Sequence, residues 1–314
     1  MKIFQAFLIF KLKRKVVSQA LQFDKAEEFC RHALEIDREC NAPLSIEELS
    51  DRRLMSLICN EKGDHEAALE HLLLASMALM ANNKKHDAEM AAVNASIGDT
   101  YVSLGRFDEA ILAYLKALTI FKAFDVDKDF VAVAGVYVSL ADLYLKKGKR
   151  HESRTYCDSA MSIYNKARVR NEVEEVARGL SEVAIVYEGL DEHNKALCLL
   201  QKALDMLGGG SCGIEAQIGV LHYLHGDYEE ALSCFNRVVA KMRNGVEKRS
   251  SLFGIVLNQM GLVHVQFSEI QFAIELFEES VDILEGNLGL HHPDTLMVYG
   301  NLSNAYDAVG RYFF

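Results

Sequence analysis

The chain of 314 residues contains only two prolines, Pro43 and Pro293, and no tryptophan. Because proline interrupts helices, so few prolines in so long a chain indicate a nearly all-α protein. Long hydrophobic runs are also missing, since none approaches the ~20 residues that a helix needs to cross a bilayer. Half of the residues are nevertheless hydrophobic, so the chain can bury a large core.

Catalytic motifs are missing as well. The sequence has no GxSxG, no phosphate-binding GxxxxGK and no HExxH, so we predict that the protein is not an enzyme and needs no cofactor. The seven cysteines are scattered and form no CxxC pair, which favours a reducing, cytoplasmic location and argues against a metal site. His291 and His292 are adjacent, but no further ligand follows at helical spacing, and we expect both to be structural.

The amino-terminal segment MKIFQAFLIFKLKRK is the nearest feature to a targeting signal. Its apolar part is short and its positive charges mostly follow that part, the reverse of a secretory signal, so we expect no cleaved leader. Three interpretations stay open: a first helix that docks on the next repeat, contact with a membrane surface, and a fragment of a longer parent.

Two helical patterns lie back to back between Ile97 and Ile120. Ile97, Tyr101 and Leu104 share one face of the first helix, and a second apolar face follows Gly105. Gly105 suits the turn between two helices because glycine accepts positive φ. Gly98 is small at a point where the paired helices must approach closely. One such hairpin cannot bury its apolar seam alone, so the pattern predicts further copies.

The hairpin recurs along nearly the whole chain. Aligning the copies on the turn gives seven positions, at intervals of 42, 43, 43, 35, 42 and 42 residues: Gly63, Gly105, Gly148, Asp191, Gly226, Ser268 and Gly310. Seven residues before each turn the residue is always Ser, Gly or Ala, and five residues after it the side chain is again small. A period this regular predicts a helical solenoid.

These columns resemble the tetratricopeptide repeat, which implies an all-α, right-handed superhelical solenoid of helical hairpins. We expect an aberrant segment with a half-repeat over 1–40, repeats over 41–207, a glycine-rich joint at 208–213 and repeats over 214–314. The joint is either a flexible connection between two halves or an ordinary loop. The last repeat lacks its second helix, so we expect a truncated chain that self-associates through an uncapped carboxyl end.

Repeats of this length, with the segment GLHHPDT at 289–295 leading into a helix, resemble those of kinesin light chains, in particular the plant kinesin-light-chain-related proteins. Plant members of that family are associated with cortical microtubules and with guidance of cellulose-synthase tracks. The resemblance therefore implies a microtubule-associated scaffold for protein partners. No heptad region that could bind a motor heavy chain precedes Ser18, which argues against a motor-bound light chain.

The first candidate surface is the concave wall that the first helices of a solenoid present to a peptide or partner helix. The residues six before each turn should lie on it: Leu57, Asp99, Asp142, Ile185, Val220, Leu262 and Asn304. The resemblance to kinesin light chains implies that groove asparagines bond a peptide backbone, and the candidates are Asn258, Asn301 and Asn304. A solvated helix face is the alternative interpretation.

Two basic clusters form the second candidate surface. They comprise Lys146, Lys147, Lys149 and Arg150 in one turn, and Lys241, Arg243, Lys248 and Arg249 in one loop. The net charge of −11 argues against nucleic acid as a partner, so the clusters fit either an acidic microtubule surface or solubilising charge. Two functions stay open: a microtubule-associated scaffold, or a soluble peptide-binding cargo or signalling adaptor without cytoskeletal contact.

Overall fold

A computed structural model describes residues 23–40, 45–81, 87–123, 130–167, 173–244 and 250–310. Within these ranges the chain forms fourteen α-helices and no β-strand, which confirms the predicted all-α repeat architecture. None of the described helices is long and apolar enough to cross a membrane. The amino-terminal segment and the two terminal phenylalanines lie outside the described residues, so the interpretations of both ends stay predictions.

The helices fall into two compact units, which meet in the chain between Val169 and Arg170. The first unit contains α1 (Phe23–Cys40), α2 (Ile46–Glu61), α3 (His65–Ala81), α4 (Asp87–Ser103), α5 (Phe107–Ala123), α6 (Phe130–Lys146) and α7 (Arg150–Ala167). The second contains α8 (Val173–Gly189), α9 (His193–Met206), α10 (Cys212–His225), α11 (Tyr228–Asn244), α12 (Ser251–Gln266), α13 (Ile270–Leu288) and α14 (Pro293–Ala308). From α2 to α13 consecutive helices pair as hairpins, α14 follows as a single helix, and within each unit each hairpin packs on the next.

The turns between paired helices share one backbone conformation. All seven predicted turn positions have positive φ, from 59° at Asp191 to 84° at Gly226. At Gly105, for example, the amide of the following residue, Arg106, donates to the carbonyl of Tyr101 at 2.8 Å, which caps the end of α4. The left-handed residue reverses the chain within a few residues, so the two helices of a hairpin run antiparallel. The register predicted from sequence spacing is therefore the register of the fold.

The small residues of the repeat are the points of closest helix contact. The small residue at the fifth position after each turn is completely buried in all six complete hairpins: Ala68, Ala110, Ser153, Ala196, Ala231 and Ala273. The small residues seven before the turn are buried too, except Ser303, which is exposed because no described helix follows α14 to cover it. The segment predicted to hold a half-repeat contains α1, where Ala26 and Ala33 are both 6% exposed.

The glycine-rich segment connects α9 to α10 inside the second unit, away from the boundary between the units. Gly208 and Gly209 have positive φ, and the amide of Gly209 donates to the carbonyl of Leu204 at 2.9 Å, which ends α9. The side chain of Ser211 accepts from the amide of Ile214, so α10 already begins at Cys212 and the predicted joint is shorter than 208–213. Whether the connection flexes stays a prediction.

The long repeat spacing comes mostly from long helices. The two helices inside the exceptional 35-residue interval, α9 and α10, have 14 residues each. The other described helices have 16 to 19 residues, as α2 and α13 show at the two extremes. The first helices other than α10 are thus longer, and with them the surface that each of these hairpins offers to a partner.

Candidate partner-binding surface

The predicted wall of the first unit contains one apolar and two acidic positions. Leu57 of α2 is 57% exposed. Asp99 of α4 is open to solvent in part, but its carboxylate accepts a hydrogen bond from the hydroxyl of the buried Tyr114 at 2.6 Å. Asp142 of α6 pairs with Lys146 at 2.7 Å. Both acids therefore already have partners within their own hairpins.

The contact between Asp99 and Tyr114 changes the protonation equilibrium of both groups. Burial raises the pKa of the Asp99 carboxyl, and the hydrogen bond from Tyr114 offsets this only in part. Burial also raises the pKa of the Tyr114 hydroxyl, and the nearby charge of Asp99 adds to the effect. The tyrosine therefore stays a neutral hydrogen-bond donor, and it holds Asp99 in one orientation on the wall.

The wall of the second unit is more apolar. Its four positions lie one repeat apart on successive first helices: Ile185, Val220, Leu262 and Asn304. Ile185 is 58% exposed although its neighbours in the chain, Ala184 and Val186, are buried. Val220 and Leu262 are half-buried, and Asn304 is exposed. Val220 and Leu262 also pack in part against the core of the unit. The column is therefore open to solvent mainly at its two ends, Ile185 and Asn304.

The asparagine candidates do not share one environment. The resemblance implies that Asn258 of α12 lines an open surface. Its side chain is instead buried, because the residue is only 1% exposed. Its Oδ1 accepts a hydrogen bond from Nδ2 of Asn301 on α14 at 2.9 Å, whereas its own Nδ2 has no hydrogen-bond partner. Asn258 therefore links two repeats, because its side chain points at the next first helix. Asn301 is half-buried and Asn304 is exposed, which leaves these two accessible to a partner.

The first basic cluster carries less unbalanced charge than its sequence indicates. Lys146 pairs with Asp142 one helical turn earlier, and Lys147 pairs with Asp108 of α5. The ammonium group of Lys149 lies 5.8 Å from the centre of the Tyr144 ring, within reach of a cation–π contact. Arg150 begins α7. Whether the cluster binds a partner stays a prediction.

The second basic cluster is described only in part, because Lys248 and Arg249 lie outside the described residues. Nζ of Lys241 is 2.6 Å from Oε2 of Glu215 and 3.0 Å from the carbonyl oxygen of Gly209. Arg243 pairs with Glu279 of α13 at 3.1 Å. Both basic residues therefore connect elements within the second unit.

Glu215 is the buried centre of this ion-pair network. Its side chain is 4% exposed, and it also accepts a hydrogen bond from Nε of Arg237 at 2.6 Å. Burial alone would raise the pKa of Glu215, but the hydrogen bonds from Lys241 and Arg237 outweigh burial and hold the pKa below its usual value. The carboxylate is therefore charged at neutral pH, and Lys241 stabilises the unit.

The tetratricopeptide-repeat family matches residues 91–124, 132–208 and 252–312. The chain belongs to this family. Tetratricopeptide repeats form scaffolds that bind protein partners. This identification agrees with the hairpin geometry described above.

Three proteins of Arabidopsis thaliana are similar to this tetratricopeptide-repeat chain. Kinesin light chain-related 3 is 48% identical over 299 residues, which cover 93% of this chain and 46% of the relative. Kinesin light chain-related 2 is 49% identical over 301 residues, or 93% of this chain and 45% of the relative. Kinesin light chain-related 1 is 50% identical over 268 residues. The predicted resemblance is confirmed, and the chain spans about half the length of these relatives.

Solved structures confirm the fold. BtubC (BKLC) from P. vanneervenii superposes with a TM-score of 0.57 at 19% identity, over 72% of this chain and 92% of that one. The quorum sensor NprR from B. thuringiensis, in its apo form, gives a TM-score of 0.64 at 15% identity, over 98% of this chain and 81% of that one. At these identities the similarity concerns the tetratricopeptide architecture alone.

Most internal partners of the candidate residues leave no local signal in the sequence. Lys147 and Asp108 are 39 residues apart, and Lys241 and Glu215 are 26 apart, so no local pattern joins them. The pair Asn258–Asn301 did carry a signal, because its separation of 43 residues is within one residue of the 42-residue interval between the turns at Ser268 and Gly310. Residues about one period apart on first helices are neighbours, and comparing them would have pointed to that contact.

Proposed function

We propose that the second unit binds an extended segment of a protein partner along its first helices. The observation that carries the proposal is a column of four partly or fully exposed residues, one on each of α8, α10, α12 and α14: Ile185, Val220, Leu262 and Asn304. Three members offer apolar surface and the fourth offers an amide. The partner is therefore a peptide with apolar side chains and an accessible backbone.

The dimensions of the column suit an extended chain. Neighbouring packed helices lie about 8–10 Å apart. An extended peptide advances about 3.3 Å per residue, so roughly every third residue of the peptide would meet one helix of the column. Asn304 can both donate to and accept from a peptide backbone, and Asn301 lies one helical turn earlier on the same face of α14. The amides fix the backbone, and the apolar positions select side chains.

A selection from a random-peptide phage library, carried out with the full chain, tests this function. Selected peptides are labelled, and their affinities are measured by fluorescence anisotropy. Asn304→Ala should weaken binding about fivefold, as expected for the loss of one hydrogen bond of about 1 kcal/mol. Ile185→Glu should weaken it further, because a charge would then face the apolar part of the peptide.

Asn236→Ala, on the exposed face of the second helix α11, is the matched control and should leave the affinity unchanged. Far-ultraviolet circular dichroism checks that each variant is folded. Peptides that bind the wild type, Asn304→Ala and Ile185→Glu equally well would show that the column is not the binding surface.

Microtubule association, with guidance of cellulose-synthase tracks, is the second candidate function. It is supported by the identity of 48–50% to three proteins named as kinesin light chain-related. Pelleting with taxol-stabilised microtubules over a series of salt concentrations tests it. Pelleting that weakens with salt is the expected result, and a chain that stays wholly in the supernatant at low salt contradicts microtubule binding.

Charge reversal separates the basic cluster from other microtubule contacts. Replacing Lys146, Lys147, Lys149 and Arg150 by glutamate should weaken pelleting if the cluster takes part. Lys116→Glu with Lys122→Glu, both exposed on α5, provides the control for unspecific charge effects. Retained peptide binding without any pelleting would identify the chain as an adaptor without cytoskeletal contact.

A further inference from the structure

Three metal-ligating side chains meet at the turns of the second unit. Glu188 lies in the last turn of α8, His193 is the first residue of α9, and His225 is the last residue of α10. Oε2 of Glu188 is 2.7 Å from Nδ1 of His193 and 3.7 Å from Nε2 of His225. The three ligand atoms all lie within 4.8 Å of one another. Elsewhere in the described ranges, no group of three His, Cys, Asp or Glu side chains comes this close.

The fold brings these residues together by two separate steps. The left-handed conformation of Asp191, with φ of 59°, reverses the chain so that Glu188 and His193 face each other across the turn. His225 comes from the following hairpin and immediately precedes its own left-handed turn residue, Gly226. Packing of α9 on α10 then places the two imidazole rings with centroids 3.6 Å apart at an angle of 74°.

We propose that Glu188, His193 and His225 form a binding site for a divalent transition-metal ion, with Zn²⁺ as the ion that fits best. Zinc binds histidine nitrogen and carboxylate oxygen at about 2.0–2.2 Å in a tetrahedron, which separates neighbouring ligand atoms by about 3.4 Å. The two measured separations from the carboxylate, 2.7 and 3.7 Å, lie on either side of that value. Two imidazoles with one carboxylate also leave a fourth position open for water or another ligand.

The accessibility of the cluster is compatible with an ion that enters from solvent. The side chains of Glu188, His193 and His225 are 21%, 39% and 29% exposed. His193 and His225 line a surface cavity of about 390 Å³, which Asp191 and Glu192 also line. Lys195 lines the cavity as well and pairs with Glu192 at 2.5 Å, so the charges of these two side chains balance.

The first unit contains a natural comparison for this site. Asn60 and His65 occupy the same two positions around Gly63 as Glu188 and His193 do around Asp191, and Nδ1 of His65 lies 3.0 Å from Oδ1 of Asn60. The pair has an amide in place of the carboxylate, and the position equivalent to His225, one before the next turn residue, is Leu104, which cannot bind a metal. A histidine that only closes the turn would behave alike at both places, whereas a metal ligand would not.

A bound ion would connect two hairpins that the glycine-rich segment otherwise joins. Glu188 and His193 belong to the hairpin α8/α9, His225 belongs to the hairpin α10/α11, and the connection at 207–211 lies between them. Zinc should therefore slow amide hydrogen exchange in this connection, because separating the hairpins would require breaking a metal–ligand bond.

Isothermal titration of the full chain with zinc chloride, after removal of any histidine tag, tests the proposal. One equivalent should bind, and His193→Gln and His225→Gln should each weaken binding at least about tenfold. Glu188→Gln, which preserves the shape of the side chain, should also weaken binding and serves if a histidine variant fails to fold. His65→Gln is the matched control and should bind zinc like the wild type.

Two results would overturn the proposal. One is the absence of zinc binding, or equal binding by the wild type, His193→Gln and His225→Gln. The other concerns the absorption spectrum of the chain with Co²⁺ in place of Zn²⁺, because this spectrum depends on the ligands of the metal. An intense thiolate charge-transfer band would show that cysteines bind the metal. Weak d–d bands without that transition, lost in His225→Gln, are the expected spectrum.

Discussion

Gly98 of α4 and Tyr114 of α5 are in such close contact that the first helix has no room for a side chain. A Cβ atom added to Gly98 would lie 2.5 Å from the Cε1 atom of the Tyr114 ring. Tyr114 is 2% exposed and also donates to Asp99, so the ring cannot move aside without losing that hydrogen bond. The same contact recurs in the second unit, where a Cβ atom added to Gly219 would meet the ring of Phe235 and one added to Gly261 would meet the ring of Phe277.

Gly98→Ala should therefore destabilise the first unit. Overpacking outweighs the helix propensity that alanine adds, and we expect a net loss of about 1–2 kcal/mol in the free energy of unfolding. Gly135→Ala in α6 is the control, because a Cβ there meets no atom within 4 Å. The control should gain up to about 1 kcal/mol from helix propensity. Urea unfolding of both variants measures the difference, and equal shifts of the two midpoints would contradict this explanation.

Ser268→Gly should stabilise the second unit. Ser268 has φ of 62° at a turn where most repeats have glycine. Left-handed backbone costs an L-residue about 1–2 kcal/mol, and the extra freedom of glycine in the unfolded chain offsets about 0.4–1 kcal/mol of the gain. We expect a net gain of about 0.5–1 kcal/mol.

The reciprocal change, Gly105→Ser, should lose a similar amount, because φ is 71° there and no neighbouring atom obstructs the side chain. Thermal unfolding by circular dichroism measures both variants. Melting temperatures that shift in the same direction would show that backbone strain is not the cause.

Glu215→Gln should destabilise the second unit in a pH-dependent way. At neutral pH the variant loses the charge that Lys241 and Arg237 share, and we expect a loss of about 1–2 kcal/mol, limited by the solvent exposure of both cations. The folded-state pKa of Glu215 lies below its usual value. The stabilisation is therefore fully present above the unfolded value of about 4.3 and is lost as the pH falls through the folded pKa.

Urea unfolding of the wild type and of Glu215→Gln, at neutral pH and again in acid, measures this dependence. Glu229→Gln, at an exposed position on α11, is the control and should change stability little at either pH. A difference between the wild type and Glu215→Gln that grew with acidity would have the wrong sign for a lowered pKa.

Asn301→Ala should destabilise the contact between α12 and α14. The change leaves Oδ1 of the buried Asn258 without its donor, next to an Nδ2 that already has no partner. An unsatisfied buried amide costs about 1–3 kcal/mol. Adding Asn258→Leu to this variant should recover part of the loss, because the polar group is then removed. Chemical unfolding measures the three variants. If the change in the free energy of unfolding of the double variant equals the sum of the two single changes, the amides are not coupled.

The predictable part of the structure is the register of the hairpins. Spacing alone predicts turns at Asp191 and Ser268, although neither is glycine, and both have the left-handed backbone of the other turns. The column of small residues was equally visible, because close packing of antiparallel helices imposes the same requirement in every repeat. Periodicity reports what all repeats share.

The candidate surface was predicted less completely, because its features differ from repeat to repeat. Asn258 was assigned to an open wall, but it is buried against Asn301. Lys147 was assigned to an open basic cluster, but Asp108 of the preceding hairpin pairs with it. Both contacts depend on the rotation of one helix relative to its neighbour, which local sequence does not specify.

The sequence by itself determined that this chain folds as α-helical hairpins with a turn at a known place in each, since turn chemistry and apolar spacing act locally. Only the tertiary structure decided which side chains of different hairpins meet. Glu188 and His193 face each other because of one turn, but His225 joins them only through the packing of α9 on α10. A contact between hairpins depends on packing angles of whole helices, and these arise from many side chains at once.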